Sequence, residues 1–356
     1  MAETSNIAVV AEKVSQDLFK WFKWEMVDAK DLNFSCHKGS KHTTSKESKL
    51  THPVDVVFKY KDPYQGKYIL FNTDLKSYAK GSINTSSIRD ALTSLAYTID
   101  CAEGSQEWQN RYALGLTNYE IRGMLFVYNH DGQYKTDFYD LFKAKINPKS
   151  GRLGGGINLS NIPLREGQKI HIIEPKVITY MRTIISDMDK LHRERTFPEK
   201  AYSFYYPDLL QHKLKGDTSE HPATIELICG PYMIIKHNAV KKWDEEKNRA
   251  VETYQQGYVI YYNQTGENPF EFIYLFDLLS NLQILRTKDD KIRIRVAHKN
   301  PFNDIRSNYE AAVAMYTTSL GGDKYKAEIL RSIEFSIIEQ TKDIFCITNI
   351  GWERSE

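Results

Sequence analysis

Asp55 and Asp74, with Lys76 two residues beyond the second, are the residues of this chain whose types and spacing suggest chemistry. Val54–Tyr60 and Lys67–Lys76 are rich in β-formers, and Asp62-Pro63-Tyr64-Gln65-Gly66-Lys67 between them is turn chemistry, so a β-hairpin is expected. A four-residue loop at Pro63–Gly66 pairs Asp62 with Lys67 and sets Asp55 opposite Asp74. Side-chain period two then collects Val56, Phe58, Tyr60, Ile69, Phe71, Thr73 and Leu75 on one face. Asp55, Val57, Lys59, Leu70, Asn72, Asp74 and Lys76 fall on the other, with the two carboxylates and the lysine together at the open end of the hairpin. Carboxylates a few ångströms apart repel unless a cation or a shared proton lies between them. Hard oxygen ligands suit Mg²⁺ or Mn²⁺, and such an ion polarises a phosphoryl oxygen and acidifies a bound water. A neighbouring lysine orients that water or stabilises developing negative charge. This is equipment for phosphodiester hydrolysis. The structural alternative, in which Asp74 and Lys76 form a surface ion pair worth about 0–1 kcal/mol, does not account for both carboxylates sharing one face.

The elements that must position these groups follow from periodicity. Ile7, Val10, Val14, Leu18, Trp21 and Phe22 recur at helical spacing, so a helix is expected over residues 6–27, capped by Asn6 and ending near Asp28. Residues 37–52 hold four Lys and three His against one Glu without apolar period, and read as an exposed basic loop. It is either simply solvated or a phosphate-contacting loop using Lys41, Lys46 and Lys49. A second helix is expected at Ser87–Cys101 with Arg89 in its first turn, where it is solvated or contacts a phosphate, and a strand at Gly123–Asn129. The Gly-, Asn- and Pro-rich residues 145–168 read as a domain boundary, giving domains 1–148 and 149–356. The second domain alternates strand and helix, with strands at Thr224–Ile228 and Glu271–Phe276 among others, helices at 305–320 and 325–339, and a last strand near 344–348. Lys291, Arg293 and Arg295 alternate along one strand face as a positive ridge that either tracks a phosphate backbone or is a solvated edge.

Composition bounds the rest. At about 150 residues per domain, 356 residues make roughly two domains. With 41% hydrophobic and 26% charged residues, the chain is neither disordered nor fibrous. No apolar run approaches the ~20 residues of a membrane span. Glu3 and Glu12 stand where a secretory signal carries positive charge, so a cytoplasmic protein is expected. Cys36, Cys101, Cys229 and Cys346 show no C-x-x-C spacing, and Cys36 with His37, His42 and His52 fits no common finger, so zinc is not expected. A net charge of +2 neither demands nor excludes nucleic acid. No G-x-S-x-G elbow, H-E-x-x-H helix or dinucleotide fingerprint is present.

Pro53-Val54-Asp55 followed by Asp74-Leu75-Lys76 resembles the PD-(D/E)xK signature of restriction-endonuclease-like nucleases, and the order of elements from residue 6 to residue 129 is similar to that family's core. The resemblance implies an α/β fold with a restriction-endonuclease-like mixed sheet flanked by helices, here followed by a second α/β domain. It implies Asp55 and Asp74 as ligands of Mg²⁺ (or Mn²⁺), the Leu75 carbonyl as a third, and Lys76 assisting the nucleophilic water. Many members add an acid from the first helix: Glu12 is the candidate by position, with Glu25 as substitute because Glu12 lies about 100° off the apolar stripe. The helical Gln of some members has no counterpart in SSIRDALTSLAY. The implied activity is metal-dependent hydrolysis of DNA, ahead of RNA, in restriction, anti-phage defence or repair. Separately, double-strand cleavage with one active site per chain favours a homodimer on geometry alone, and a partner-protein complex is the alternative assembly. The rival is a non-catalytic nucleic-acid-binding or complex-forming subunit that keeps the fold alone, and metal binding separates the two.

Overall fold

A computed structural model describes residues 2–39, 41–44, 47–48, 50–146, 153–206, 221–246, 248–319 and 324–339. They form two compact units, one running to Ile178 and the other beginning at Thr179. Among the described residues no helix is long and apolar enough to cross a membrane.

The first unit opens with α1 (Ala2–Trp21), which buries Ala11, Val14, Leu18 and Phe19 at helical spacing. It stops short of Asp28 because Lys23 turns left-handed at φ 60° and the Trp24 N–H caps the Phe19 carbonyl at 3.0 Å. The chain passes at once into β1 (Glu25–Met26), and Trp24 stacks between Phe19 and Phe71, centroids 4.5 and 4.9 Å apart, fastening helix to sheet. A small antiparallel ribbon follows, β2 (Phe34–Ser35) with β3 (Thr51–His52).

The hairpin β4 (Val56–Lys61) and β5 (Tyr68–Tyr78) has the expected register: Val56 pairs with Thr73 and Lys61 with Tyr68, so Asp55 and Asp74 are the next pair outward. Asp62 makes the turn. Its N–H bonds the Lys67 carbonyl at 2.8 Å, its carboxylate accepts from the Tyr64 and Gln65 N–H groups, and Gly66 supplies the left-handed residue at φ 65°. Next come α2 (Thr85–Ala102), capped by the Asn84 side chain, and α3 (Gln106–Tyr112). Then β6 (Tyr119–Asn129) runs parallel to β5, and β7 (Ile170–Ile173) parallel to β6. The sheet order is β1-β4-β5-β6-β7, a mixed sheet with α1 on one face and α2 on the other. Since β7 completes this sheet, the Gly-rich residues 145–168 lie inside the first unit, and the division falls at Ile178/Thr179 rather than at 148/149.

The second unit comprises α4 (Pro175–Arg193, which begins just before the division), β8 (Tyr202–Phe204), β9 (Tyr232–His237), a small hairpin of β10 (Val240–Asp244) and β11 (Arg249–Tyr254), β12 (Gly257–Tyr262), α5 (Pro269–Asn281), β13 (Lys291–Val296), α6 (Ile305–Ser319), α7 (Lys324–Ser332) and β14 (Glu334–Ile337). Its sheet, β8-β9-β12-β13-β14, has two antiparallel pairings followed by two parallel ones, as the first sheet does. The pair next outward from Tyr232 and Tyr262 in its central hairpin is Pro231 and Asn263, joined by an N–H···O bond of 2.7 Å. Three expectations are corrected. Thr224–Ile228, expected as a strand, holds a short helix at Ile225–Ile228, because the Thr224 hydroxyl caps its start by accepting from the Leu227 N–H. Glu271–Phe276 is helix, because Phe272, Leu275, Phe276 and Leu279 are buried on a 3.6-residue period behind Pro269. The helix expected to reach 339 ends at Ser332 and gives way to β14. The strand expected near 344–348 lies outside the described residues.

Candidate functional site

The β5 face that carries the chemistry changes character along its length. Val57 and Leu70 belong to the core beneath Leu92 and Leu95 of α2, and Asn72 is buried where its side chain accepts from the Trp108 indole at 3.0 Å. At the strand end the face opens toward solvent, where the side chains of Asp74 and Lys76 are 18% and 29% exposed. The Leu75 N–H donates to Asp55 Oδ2 at 2.7 Å, and the Asp31 N–H donates to the Asp55 carbonyl at 2.9 Å, fixing that residue at both ends. Lys76 Nζ donates to Asp74 Oδ1.

The electrostatics match two carboxylates held close together. Burial, then the negative charge of Asp74, push the Asp55 carboxyl up to about 6. Burial works against the Lys76 ammonium, but Asp74 and Asp55 outweigh it and hold its pKa above the usual lysine value. A cation between Asp55 and Asp74 would relieve the strain that otherwise favours a proton on Asp55. These hard oxygen donors therefore fit Mg²⁺ or Mn²⁺.

A pH dependence follows. Because the folded pKa of Asp55 lies above its unfolded value, folding disfavours the ionised form, so stability is lost as pH rises from about 4 through 6. At about 1.4 kcal/mol per pKa unit, the burden above pH 7 is about 2–3 kcal/mol. In magnesium-free buffer, Asp55→Asn is expected to raise the thermal midpoint at pH 7.5 by about 5 °C and to leave it unchanged at pH 4. Thermal denaturation of both proteins across this range checks it, and an Asp55→Asn protein less stable than wild type at pH 7.5 would contradict it.

The remaining sequence candidates separate. Glu12 is paired with Lys30, whose neighbour Asp31 is the residue bonded to the Asp55 backbone. Glu25 is 69% exposed on the outer strand, pairing with Lys59 at 3.1 Å. Arg89 is exposed near the start of α2, beside Ser86 and Asp90. Lys41 is exposed, while Lys46 and Lys49 lie outside the described residues. The positive ridge at Lys291, Arg293 and Arg295 is overturned. Strand β13 is interior to its sheet, and α4 with the segment after it covers the face in question. Arg293 is 1% exposed, bonded to Thr196 and His237, and Arg295 is 7% exposed, bonded to Asp187 and Ser336. Lys291, at the strand start, is half-buried. Sequence reasoning missed Asp31, which packs its backbone on Asp55 and adds to the negative field there; a non-glycine residue at φ 52° leaves no pattern in the sequence.

Residues 1–177 match the family model described as GAPS4 protein PD-(D/E)XK nuclease domain. Comparison with curated proteins and with solved structures finds no match. The structure of this part is a mixed sheet flanked by helices, and the N-terminal part of the chain belongs to the PD-(D/E)XK nuclease superfamily.

Proposed function

We propose that the first unit is a metal-dependent nuclease that hydrolyses DNA phosphodiester bonds, in a restriction, anti-phage or repair setting, with Asp55, Asp74 and Lys76 as its working residues. The observation that carries this reading is their convergence: a half-buried carboxyl held up at about 6, a second carboxylate opposite it, and a lysine bonded to that second one at the partly exposed end of a largely buried strand face. Asp55 and Asp74, with the Leu75 carbonyl, would hold Mg²⁺ or Mn²⁺, which when bound supplies Lewis-acid stabilisation of the phosphoryl oxygens and an acidified water.

The chain's own residues do the rest. The Leu75 N–H aims one Asp55 oxygen and leaves the other for a ligand. Lys76 keeps its proton near neutrality and places a positive charge beside the carboxylates, where the attacking water and the developing charge on phosphorus must lie. Glu12, next to the site through Lys30, is the candidate helix acid. Exposed Lys41 and Arg89 are candidate backbone contacts.

The test is incubation of the purified chain with supercoiled plasmid, linear duplex, single-stranded DNA and RNA, with Mg²⁺, with Mn²⁺, or with neither. Metal-dependent cleavage of DNA is expected. Retention of nucleic acid in a gel shift without cleavage under any metal would replace this reading with that of a non-catalytic, complex-forming subunit.

A further inference from the structure

A second group of ligand-forming side chains lies away from the carboxylates. Cys36 follows β2, His52 ends β3, His42 comes from the basic segment between them, and Cys101 comes from the last turn of α2. One ligand atom from each lies within 4.8 Å of every other. The sulfurs are 3.8 Å apart, His42 Nδ1 is 3.5 Å from Cys36 Sγ and 3.4 Å from Cys101 Sγ, and His42 Nδ1 is 3.3 Å from His52 Nε2. Tetrahedral zinc with Zn–S of about 2.3 Å and Zn–N of about 2.0–2.1 Å requires edges of about 3.8 Å for S–S, about 3.6 Å for S–N and about 3.3 Å for N–N. These separations match all three types of edge. A disulfide would need the sulfurs at about 2.05 Å.

The surroundings are those of a built site. His42, His52 and Cys101 are buried and Cys36 is half-buried. The far nitrogen of His42, Nε2, is bonded to Asp100 Oδ2 at 3.0 Å, leaving Nδ1 toward the cluster; such a carboxylate fixes the tautomer of a metal-bound histidine. Asp100 is in turn held by Lys38 and Arg165. Tyr97 stacks on the His42 ring and Phe34 packs against that of His52, so both imidazoles are clamped.

We propose that Cys36, His42, His52 and Cys101 bind one structural zinc ion. All four positions are filled by protein, so the ion would be closed to substrate and would act as a clamp. It would tie the basic segment 37–52 to α2 directly ahead of Pro53-Val54-Asp55, with both thiols bound as thiolates and their protons released to solvent. The spacing argument against zinc fails because the fourth ligand is supplied by a helix on the far side of the hairpin in sequence, which no local motif records. The proposal stands independently of the nuclease reading.

The experiment is metal analysis of the full chain purified without chelator, for wild type, Cys36→Ser, Cys101→Ser and Asp74→Ala. One zinc per chain is expected in wild type and Asp74→Ala, and its loss in both cysteine variants. If a cysteine variant does not fold, wild type exchanged into Co²⁺ decides: the proposal requires the intense visible bands and thiolate charge transfer of tetrahedral cobalt. Absence of bound metal both as purified and after zinc addition would overturn it, as would zinc retained in both cysteine variants or a cobalt spectrum without thiolate transitions.

Discussion

Lys76→Ala is expected to lower metal-dependent DNA cleavage by about 10²–10⁴-fold, the range found when a single charge-stabilising or proton-handling group is removed from an active site. The loss should fall on kcat with little change in KM, because the ammonium is directed at charge that develops in the transition state and not at the ground-state duplex. Metal binding should survive, since Lys76 carries no metal-ligating oxygen and both carboxylates remain. The Mn²⁺-induced rise in thermal midpoint should therefore persist in Lys76→Ala and disappear in Asp74→Ala. Lys76→Arg keeps the charge but replaces a compact ammonium with a planar fork, and should recover only part of the rate. Cleavage by Lys76→Ala within a few-fold of wild type would remove the lysine from the mechanism.

Arg295→Met is expected to produce the largest loss of stability in the second unit, about 3–5 kcal/mol, because it strands the Asp187 carboxylate, 5% exposed, without its cation. Among the described residues only the Tyr261 hydroxyl, donating at 3.0 Å, would remain to satisfy that oxygen pair. In the full chain the corresponding transition should move down by about 10 °C. The double variant Asp187→Leu, Arg295→Met should recover most of the loss, since replacing a buried pair by apolar groups of similar volume is close to neutral. Nucleic-acid affinity and its salt slope should not change in either protein, because neither side chain reaches solvent. Scanning calorimetry and salt-titrated binding check both points, and a stable Arg295→Met protein with a reduced salt slope would restore the exposed ridge.

What could be read from the sequence depended on whether the determining contacts were local. The hairpin was legible residue by residue, since the Asp62–Lys67 turn fixes its register and register fixes which side chains share a face. From that alone Asp55, Asp74 and Lys76 fall together. The face of β13 was equally legible as an alternation, but alternation gives only the two sides of a strand and not what covers each. Arg293 and Arg295 look like a solvent face until α4 supplies Asp187 and the segment after it supplies Thr196. The strand expected at Glu271–Phe276 shows a different limit, because a short aromatic run fits both periods and only burial of Leu279 a turn later, behind Pro269, decides for helix. The end of the first unit was misplaced for a third reason. Strand β7 is four residues long and its partner β6 lies far back in the chain, so a glycine-rich insertion between parallel neighbours has the composition of a linker.

The second sheet serves as a control that the molecule carries within itself. It repeats the same succession of pairings around a central hairpin, yet where the first hairpin places Asp55 and Asp74 just beyond its last pair, the second places Pro231 and Asn263. An architecture built twice, once with opposed carboxylates and once without them, does not need those carboxylates in order to fold. Their repulsion in the first hairpin is thus a cost that the fold itself does not impose, in keeping with the proposed metal site.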